Sequence, residues 1–342
     1  MITGPPRVPF DICEEIINHV AMHLDEVAWS PEQDPWRHTL SSCALVCRAW
    51  HYHSQPYLRQ FVKLRDRAGV MSLSKLLRDK PQLSRVVRIV AISGCPVKDV
   101  PHPISHLGTF AVMLAGKLPN LHTLRLENAE WPVGSVPLDT IRYLATFPSI
   151  TMLELRGVHF VAISQLVQLI SALPALRRLK TNRVSCKQTH LETPIRLPLN
   201  AHRLECIDMW WNTAPAILNF YIRASRVARL RTLGIGVDGY DALSNCSRRH
   251  ALLSANASSL KSLRFGIHTY GLGPEDVDNI AQSIDLSRVV TLEDLTLNSH
   301  SFLGANHSWI PKVLATVKSE RIRRVDICFR VGATLPLLRT MI

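Results

Sequence analysis

The feature that most constrains this chain is an apolar pattern, L-x-x-L-x-L, that recurs nine times between residues 87 and 327. Successive copies begin 26 to 34 residues apart. Because the last two apolar positions alternate with a period of two, each copy predicts a β-strand with its apolar side chains on one face. The three apolar positions of the successive copies are Val87/Val90/Ile92, Leu121/Leu124/Leu126, Ile150/Leu153/Leu155, Leu176/Leu179/Thr181, Leu204/Ile207/Met209, Leu230/Leu233/Ile235, Leu260/Leu263/Phe265, Leu292/Leu295/Leu297 and Ile322/Val325/Ile327.

Between the predicted strands the apolar residues follow a helical period. The segment from Ile163 to Leu173 predicts a helix that Pro174 ends. In length and pattern the repeating unit is similar to the longer leucine-rich repeats, in which a strand is followed by a helix. Such a unit cannot bury its apolar face alone, so stacked units must share one core. The predicted fold is therefore α/β, a curved solenoid with parallel strands on the concave face and helices on the convex face.

Two helices are predicted ahead of the repeats. The segment from Phe10 to His23 predicts an amphipathic helix, because its apolar residues recur at helical spacing and acidic residues occupy its first turns. A second helix is predicted around Leu40 to Tyr52. The polar, proline-broken stretch between them, near residues 25–38, predicts a surface loop.

This amino-terminal segment resembles a known family. The motifs that carry the resemblance are Val8-Pro9-x-Asp11-Ile12, then Ile16 and Ile17, then Cys43-Ala44-Leu45-Val46-Cys47-Arg48-Ala49-Trp50. They are similar to the F-box, and most similar to the F-box proteins of mushroom-forming fungi. The resemblance implies a small all-helical F-box over residues 1–60, with the inserted loop near 25–38. A leucine-rich-repeat solenoid of about nine strand units then follows over residues 61–342.

The resemblance also implies a function. An F-box docks on the Skp-type adaptor of an SCF-type (cullin-RING) ubiquitin ligase, and through it on a cullin, while the repeats present a protein substrate. The chain would then be a non-catalytic adaptor, with ubiquitin transfer done by other subunits. The residues at positions that the family uses for the core of the module or for the adaptor contact are Pro9, Ile12, Ile16, Ile17, Leu45, Val46 and Trp50. An alternative is that these helices only cap the solenoid.

Partner binding is expected at the outward positions of the strands, where side chains alternate with those of the core. The candidate residues are Arg125, Glu127, Glu154, Arg156, Arg178, Lys180, Asp208, Trp210, Arg264, His268, Asp294, Asn298, Arg324 and Asp326. Trp210 is a candidate energetic anchor, since an exposed aromatic residue near arginines is typical of such anchors. Alternation along a strand also allows one of Trp210 and Trp211 to lie in the core and the other on a loop.

The chain is strongly basic. It has 40 Lys and Arg residues against 27 Asp and Glu residues, a net charge of +13. Eleven basic residues fall between Leu173 and Arg231, against three acidic ones. This zone suits an acidic or phosphorylated segment of a substrate. The rival function is a basic repeat scaffold, or a binder of nucleic acid or acidic partners, that does not act in a ligase. Nucleic acid is disfavoured, because the basic residues lack interleaved aromatics.

No motif of a catalytic or cofactor site occurs. A phosphate loop, a nucleophile elbow and a zinc-protease signature are all missing from the sequence, so neither an enzyme nor a cofactor is predicted. The glycines at Gly234 and Gly236 predict a strand position where no side chain is needed, or where a partner approaches closely. No metal site is predicted, since Cys43, Cys47 and the nearby histidines would lie within one helix.

Hydropathy and cysteine usage set the expected compartment. The sequence shows no long apolar run that could span a membrane and no secretory leader, so a cytoplasmic or nuclear location and no membrane partner are expected. The eight scattered cysteines are then expected to be reduced, small buried hydrophobes.

Overall fold

The computed structural model describes residues 9–24, 34–94, 101–187, 196–211, 213–238, 245–269, 272–301 and 307–331. Within these ranges the chain forms an α/β fold with one parallel sheet of twelve strands. The strands are β1 (Phe61–Leu64), β2 (Ile89–Ser93), β3 (His102–Pro103), β4 (Thr123–Trp131), β5 (Met152–Phe160), β6 (Arg178–Asn182), β7 (Ser185–Cys186), β8 (Cys206–Trp210), β9 (Thr232–Val237), β10 (Ser262–His268), β11 (Asp294–Ser301) and β12 (Arg324–Val331).

Helices precede the sheet and connect its strands. The α-helices are α1 (Phe10–Met22), α2 (Pro35–Cys43), α3 (Arg48–Leu58), α4 (Arg67–Asp79), α5 (His106–Met113), α6 (Leu138–Arg142), α7 (Ile163–Ser171), α8 (Pro215–Ser225), α9 (Cys246–Asn256), α10 (Pro274–Ser283) and α11 (Trp309–Ala315). Short 3-10 helices cover Pro81–Arg85, Tyr143–Thr146 and Ala201–Arg203.

The sheet is built in chain order. Its hydrogen-bonded sequence of strands is β1-β2-β4-β5-β6-β8-β9-β10-β11-β12, while β3 pairs with β4 and β7 pairs with β5. Parallel neighbours cannot be joined by a tight turn, so each step along the sheet needs a crossover, usually helical. The chain therefore advances one strand and one crossover at a time, which is a solenoid-like path.

All nine strands predicted from the repeat pattern are confirmed, and their register follows the repeat. The middle apolar position of each copy pairs with that of its neighbours, as in Leu124 with Leu153 and Leu153 with Leu179. The same pairing continues to Val325 in β12. Equivalent positions of successive repeats therefore lie side by side on adjacent strands of the sheet. The sequence analysis missed β1, whose only buried residue is Leu64.

The apolar face of the sheet and the helices share one continuous core. It runs from Leu64 to Val313 and includes the buried faces of α4 to α11. The predicted helix from Ile163 to Leu173 is confirmed as α7, which ends at Ser171. Neighbouring units bury one another, as a strand-helix unit requires.

The three amino-terminal helices have a second, small core of their own. Ile17, Val20, Leu40 and Cys43 form it, and Trp50 is among the half-buried side chains packed against it. The first predicted helix is confirmed as α1. The core ties α1 to α2 and α3, so these helices form one packed unit.

The prediction of one continuous helix from Leu40 to Tyr52 is wrong. Asp34 caps α2 by accepting a hydrogen bond from the Trp36 backbone N–H at 2.9 Å. A turn follows α2, and Cys47 has the extended backbone angles φ −160° and ψ 172°, which end one helix and start the next. The predicted loop near 25–38 is wrong for residues 35–38, which lie in α2, and residues 25–33 lie outside the described residues.

The shared core makes a prediction about stability. Leu233→Ala, at a fully buried position in β9, should lower the free energy of unfolding by roughly 2–5 kcal/mol through lost burial and a new cavity. Leu199→Ala is the matched control, because that side chain is 95% exposed; its effect should be about 0.5 kcal/mol or less. Urea unfolding followed by circular dichroism measures both. Equal effects would contradict the described packing of β9.

Candidate functional site

Among its described residues, the three-helix unit exposes seven large apolar side chains, and four of them are docking candidates. The seven are Ile12, Ile16, Met22, Trp36, Leu45, Val46 and Tyr52. Ile12 and Ile16 are 42% and 41% exposed, and Leu45 and Val46 are 85% and 65% exposed. Ile12 and Ile16 lie four residues apart, on one flank of α1. Leu45 and Val46 lie in the turn after α2. We call these four residues the apolar docking residues.

The remaining docking candidates have different positions. Pro9 is exposed, and its carbonyl accepts the Cys13 backbone N–H at 3.2 Å, which starts α1. Ile17 is fully buried, so it supports the unit and cannot form a direct partner contact. Trp50 is half-buried against the small core. The structure therefore distinguishes residues that support the unit from residues that are exposed on it. The sequence pattern did not make this distinction.

Polar contacts hold the exposed helix α1 on its neighbours. The Tyr57 hydroxyl donates to Asn18 Oδ1 at 2.7 Å, and His53 Nε2 lies 3.1 Å from Glu14 Oε1. These contacts join α1 to α3. The apolar docking residues on α1 are thus presented on a fixed helix rather than on a loop.

Phe61 in β1 connects the three-helix unit to the sheet. The guanidinium of Arg37 from α2 lies 5.4 Å from its ring centroid, and that of Arg125 from β4 lies 5.8 Å away. A cavity of about 530 Å³ between the two parts is lined by Met22 and Ile89, among others. The three-helix unit therefore sits at the β1 end of the sheet.

The outward strand positions form two rows across the sheet. Strand pairing aligns Arg125 with Glu154, Lys180 and Asp208, and continues the row through Gly234. The second row contains Glu127, Arg156, Asn182 and Trp210. These residues alternate with core leucines, so they lie on the face of the sheet opposite the core. We call this surface the polar sheet face.

Several candidates on the polar sheet face are buried, which corrects the expectation that they are accessible. Arg125 and Glu154 are each 1% exposed, and Asp208 is 3% exposed. Glu127, Trp210 and Asn298 are also buried. Neighbouring strands bring opposite charges into contact, so these side chains cover one another. These side chains therefore lie beneath the solvent-accessible surface of the polar sheet face, and they support it from below.

Three cations converge on the Glu154 carboxylate. Arg125 Nε lies 2.6 Å from Oε2, Arg156 Nη2 lies 3.3 Å from Oε2, and Lys180 Nζ lies 3.6 Å from Oε1. Glu127 contacts Arg125 at 3.6 Å and Lys63 at 3.2 Å. Burial, together with the charge of Arg125, lowers the pKa of Arg156 to about 10, against the opposing effect of Glu154. Positive charge is therefore concentrated at β4 to β6.

Asp208 organises the next part of the polar sheet face. Its Oδ1 accepts the Trp210 indole N–H at 2.7 Å, and its Oδ2 accepts from Arg264 Nη2 at 2.9 Å. Trp210 lies against Gly236 and Gly266, where an added Cβ would collide with its ring. The close approach predicted at the glycine-rich strand is therefore made by a tryptophan of the same chain.

Trp211 lies on the same side as Trp210. It follows the last residue of β8 and has a φ of +57°, so strand alternation does not apply to it. Its ring centroid is 6.0 Å from that of Trp210, 5.2 Å from His268 and 5.1 Å from His300. The alternative for the two tryptophans is therefore confirmed only in part: Trp210 is buried and Trp211 lies outside the strand, but their rings are neighbours. Burial is the main cause that lowers the pKa of His268.

A pocket of about 250 Å³ opens on the polar sheet face. Trp210 contributes to its wall, and the half-buried side chains of Lys180 and Arg264 also line it. Seven sequence candidates line it, namely Glu154, Arg156, Lys180, Asp208, Trp210, Arg264 and Asn298. The lining residues that were not predicted include Thr181, which occupies a core position of the repeat, and Asn182, Thr296, His300 and Cys328.

Other candidates lie apart from this pocket lining. Arg178 is exposed. Arg324 lies 3.7 Å from Asp294 and 3.2 Å from Asp326, on the last described strands. The partner-binding set predicted as one surface is thus divided between the pocket and these other positions.

The basic zone forms a separate groove. Arg177, Arg203, Arg229 and Arg231 line a groove of about 690 Å³, together with Glu205. Arg177 Nη1 lies 3.0 Å from Glu205 Oε1. Each arginine falls just before a strand, a position that reasoning from outward strand residues did not consider. The groove could have been predicted from the sequence, because arginines recur before β6, β8 and β9, which are neighbours in the sheet. We call it the basic groove.

Cysteine placement departs in part from the expectation of buried thiols. Cys13, Cys43, Cys186 and Cys206 are buried, whereas Cys47 and Cys328 are exposed. Among the described residues, no group of three or more histidine, cysteine or acidic side chains could hold a metal ion. No described helix is both long and apolar enough to cross a bilayer.

The Glu154 cluster makes a prediction. Glu154→Gln removes the carboxylate that three buried or half-buried cations share, so it should lower the free energy of unfolding by about 3 kcal/mol. Glu205→Gln is the matched control, because its ion pair with Arg177 is largely exposed; it should cost about 1 kcal/mol or less. Thermal and urea unfolding of both variants give the comparison. A Glu154→Gln variant as stable as the control would contradict the described cluster.

Three surfaces are therefore defined by geometry: the apolar docking residues, the pocket on the polar sheet face and the basic groove.

Neither a family model nor a curated protein matches this sequence.

Proposed function

We propose that this chain is the substrate-recognition subunit of an SCF-type cullin-RING ubiquitin ligase. In this proposal the three-helix unit docks on a Skp-type adaptor, and through it on a cullin, while the sheet binds a protein substrate. The observation that carries the proposal is the exposure of Ile12, Ile16, Leu45 and Val46 on a unit with its own core. Exposed large apolar side chains on a small folded unit are typical of a protein-binding surface.

The proposal interprets α1 to α3 as an F-box-like module and the following units as a leucine-rich-repeat solenoid. The Val8 to Ile12 and Cys43 to Trp50 motifs support the first interpretation. The chain-order parallel sheet and the repeat register support the second. Catalysis of ubiquitin transfer would belong to other subunits, and the complex would work in the cytoplasm or nucleus.

The division of surfaces supports the adaptor role. The apolar docking residues lie on the three-helix unit, at the β1 end of the sheet, whereas the pocket is lined by residues of β5 to β12. A docked adaptor would therefore leave the pocket open to a second protein. This arrangement lets one chain bring two proteins together.

A second candidate function is a basic scaffold that binds nucleic acid or acidic partners outside a ligase. The observation that favours it is the basic groove, whose described lining residues include four arginines and one glutamate. Such binding would weaken steeply with salt, because phosphate contacts release counterions. Adaptor docking through apolar side chains should depend much less on salt.

The adaptor proposal predicts the effect of charge on the docking residues. The double variant Ile16→Asp and Val46→Asp should weaken binding to purified Skp-type adaptor at least about tenfold, because carboxylates would be desolvated at an apolar contact. The matched control, Val133→Asp with Leu199→Asp, makes the same change at exposed positions outside the three-helix unit. Calorimetric titration with circular dichroism measures affinity and folding together.

Two results would contradict the proposal. One is that the folded intact chain does not bind the adaptor. The other is that the control variant loses binding as strongly as the docking variant. Either result would favour the basic groove as the functional surface.

A further inference from the structure

The pocket on the polar sheet face combines an apolar wall with converging cations. The side chains of Lys180 and Arg264 line the pocket, and they are 16% and 31% exposed. Trp210 also lines it. A volume of about 250 Å³ suits one or two side chains and is far too small for a folded domain.

The charges around this pocket are unequal. Among its described lining residues, three are cations (Arg156, Lys180 and Arg264) and two are carboxylates (Glu154 and Asp208). An added anion is attracted by this excess of positive charge, because buried and half-buried charges are screened less than exposed ones. The lowered pKa of Arg156 has the same origin, since burial and the charge of Arg125 both disfavour its protonated form.

The carboxylates of the pocket are already occupied. Asp208 accepts hydrogen bonds from Trp210 and Arg264, and Glu154 contacts three cations. A basic group entering the pocket would meet like charges and compete for these carboxylates. An acidic group would meet Lys180 and Arg156 at short range, where charge-assisted contacts are strong.

We propose that this pocket binds an acidic side chain of the protein partner, with its carboxylate at Lys180 and Arg156 and its hydrocarbon stem against Trp210. The inference rests on the proposed function only in taking the occupant to be part of a protein substrate. A stacked nucleobase fits less well, because Trp210 is only 9% exposed and packs on Gly236 and Gly266.

The test uses the full chain and fluorescein-labelled peptides of eight residues. The probes are octaglutamate, octaglutamine, octalysine and a Gly-Ser peptide with one phosphoserine. Octaglutamate should bind, and octaglutamine and octalysine should bind at least about tenfold more weakly. Fluorescence anisotropy gives the affinities, and circular dichroism checks that each protein variant is folded.

Variants of the protein locate the binding site. Lys180→Met should weaken octaglutamate binding about tenfold, because it removes one charge-assisted contact. Lys180→Arg keeps the charge and should remain within about threefold of the intact chain. Lys117→Met is the matched control for the change in net charge, since Lys117 is exposed in the turn after α5; it should bind as the intact chain does.

Several results would overturn the inference. One is equal binding of octaglutamate by the intact chain and the Lys180→Met variant. Another is a loss that follows Arg203→Gln with Arg231→Gln instead, which would move the site to the basic groove. A third is binding of the phosphoserine peptide more than about tenfold tighter than that of octaglutamate, which would indicate that the pocket binds a phosphate group and not a carboxylate.

Adaptor titrations of the same preparations separate this inference from the proposed function. Lys180→Met should bind the adaptor as the intact chain does, because Lys180 lies on the sheet. Adaptor binding without octaglutamate binding would overturn the pocket assignment alone. Octaglutamate binding without adaptor binding would support the pocket and overturn the ligase role.

Discussion

The register of the parallel strands is the constraint on which the rest of this structure depends. Because Leu124, Leu153 and Leu179 stack in one row, each unit supplies the apolar surface that its neighbour needs. The same register places Arg125, Glu154 and Lys180 in a row on the opposite face. A shift by one residue would move the charges into the core and the leucines to the surface. Core and polar sheet face are thus two results of one alignment.

The polar sheet face shows how a repeat array builds a local site. The core positions are apolar in every unit, whereas the outward positions differ in chemistry. Neighbours in one outward row are Glu154, Lys180, Asp208 and Gly234. The glycines leave room for Trp210, which in turn donates to Asp208. A pocket arises where large, small and charged outward residues alternate across strands.

Much of the fold could be predicted from the sequence, because it depends on local periodicity. The nine strands, α1 and α7 follow from spacing alone, whereas the break between α2 and α3 depends on the extended backbone at Cys47, for which the pattern gave no signal. The outward residues of the site were identified, but their burial was not, since it depends on ion pairs between strands. The position of Trp211 was unpredictable from alternation because its left-handed backbone ends the strand pattern.

Hydrogen–deuterium exchange of the chain with and without a Skp-type adaptor tests whether the three-helix unit and the polar sheet face are separate binding surfaces. We predict slower exchange in Phe10–Met22 and in the turn at residues 44–47, with exchange in β5 and β6 unchanged. Slower exchange in β5 and β6, or an adaptor complex that leaves α1 unprotected, would contradict it.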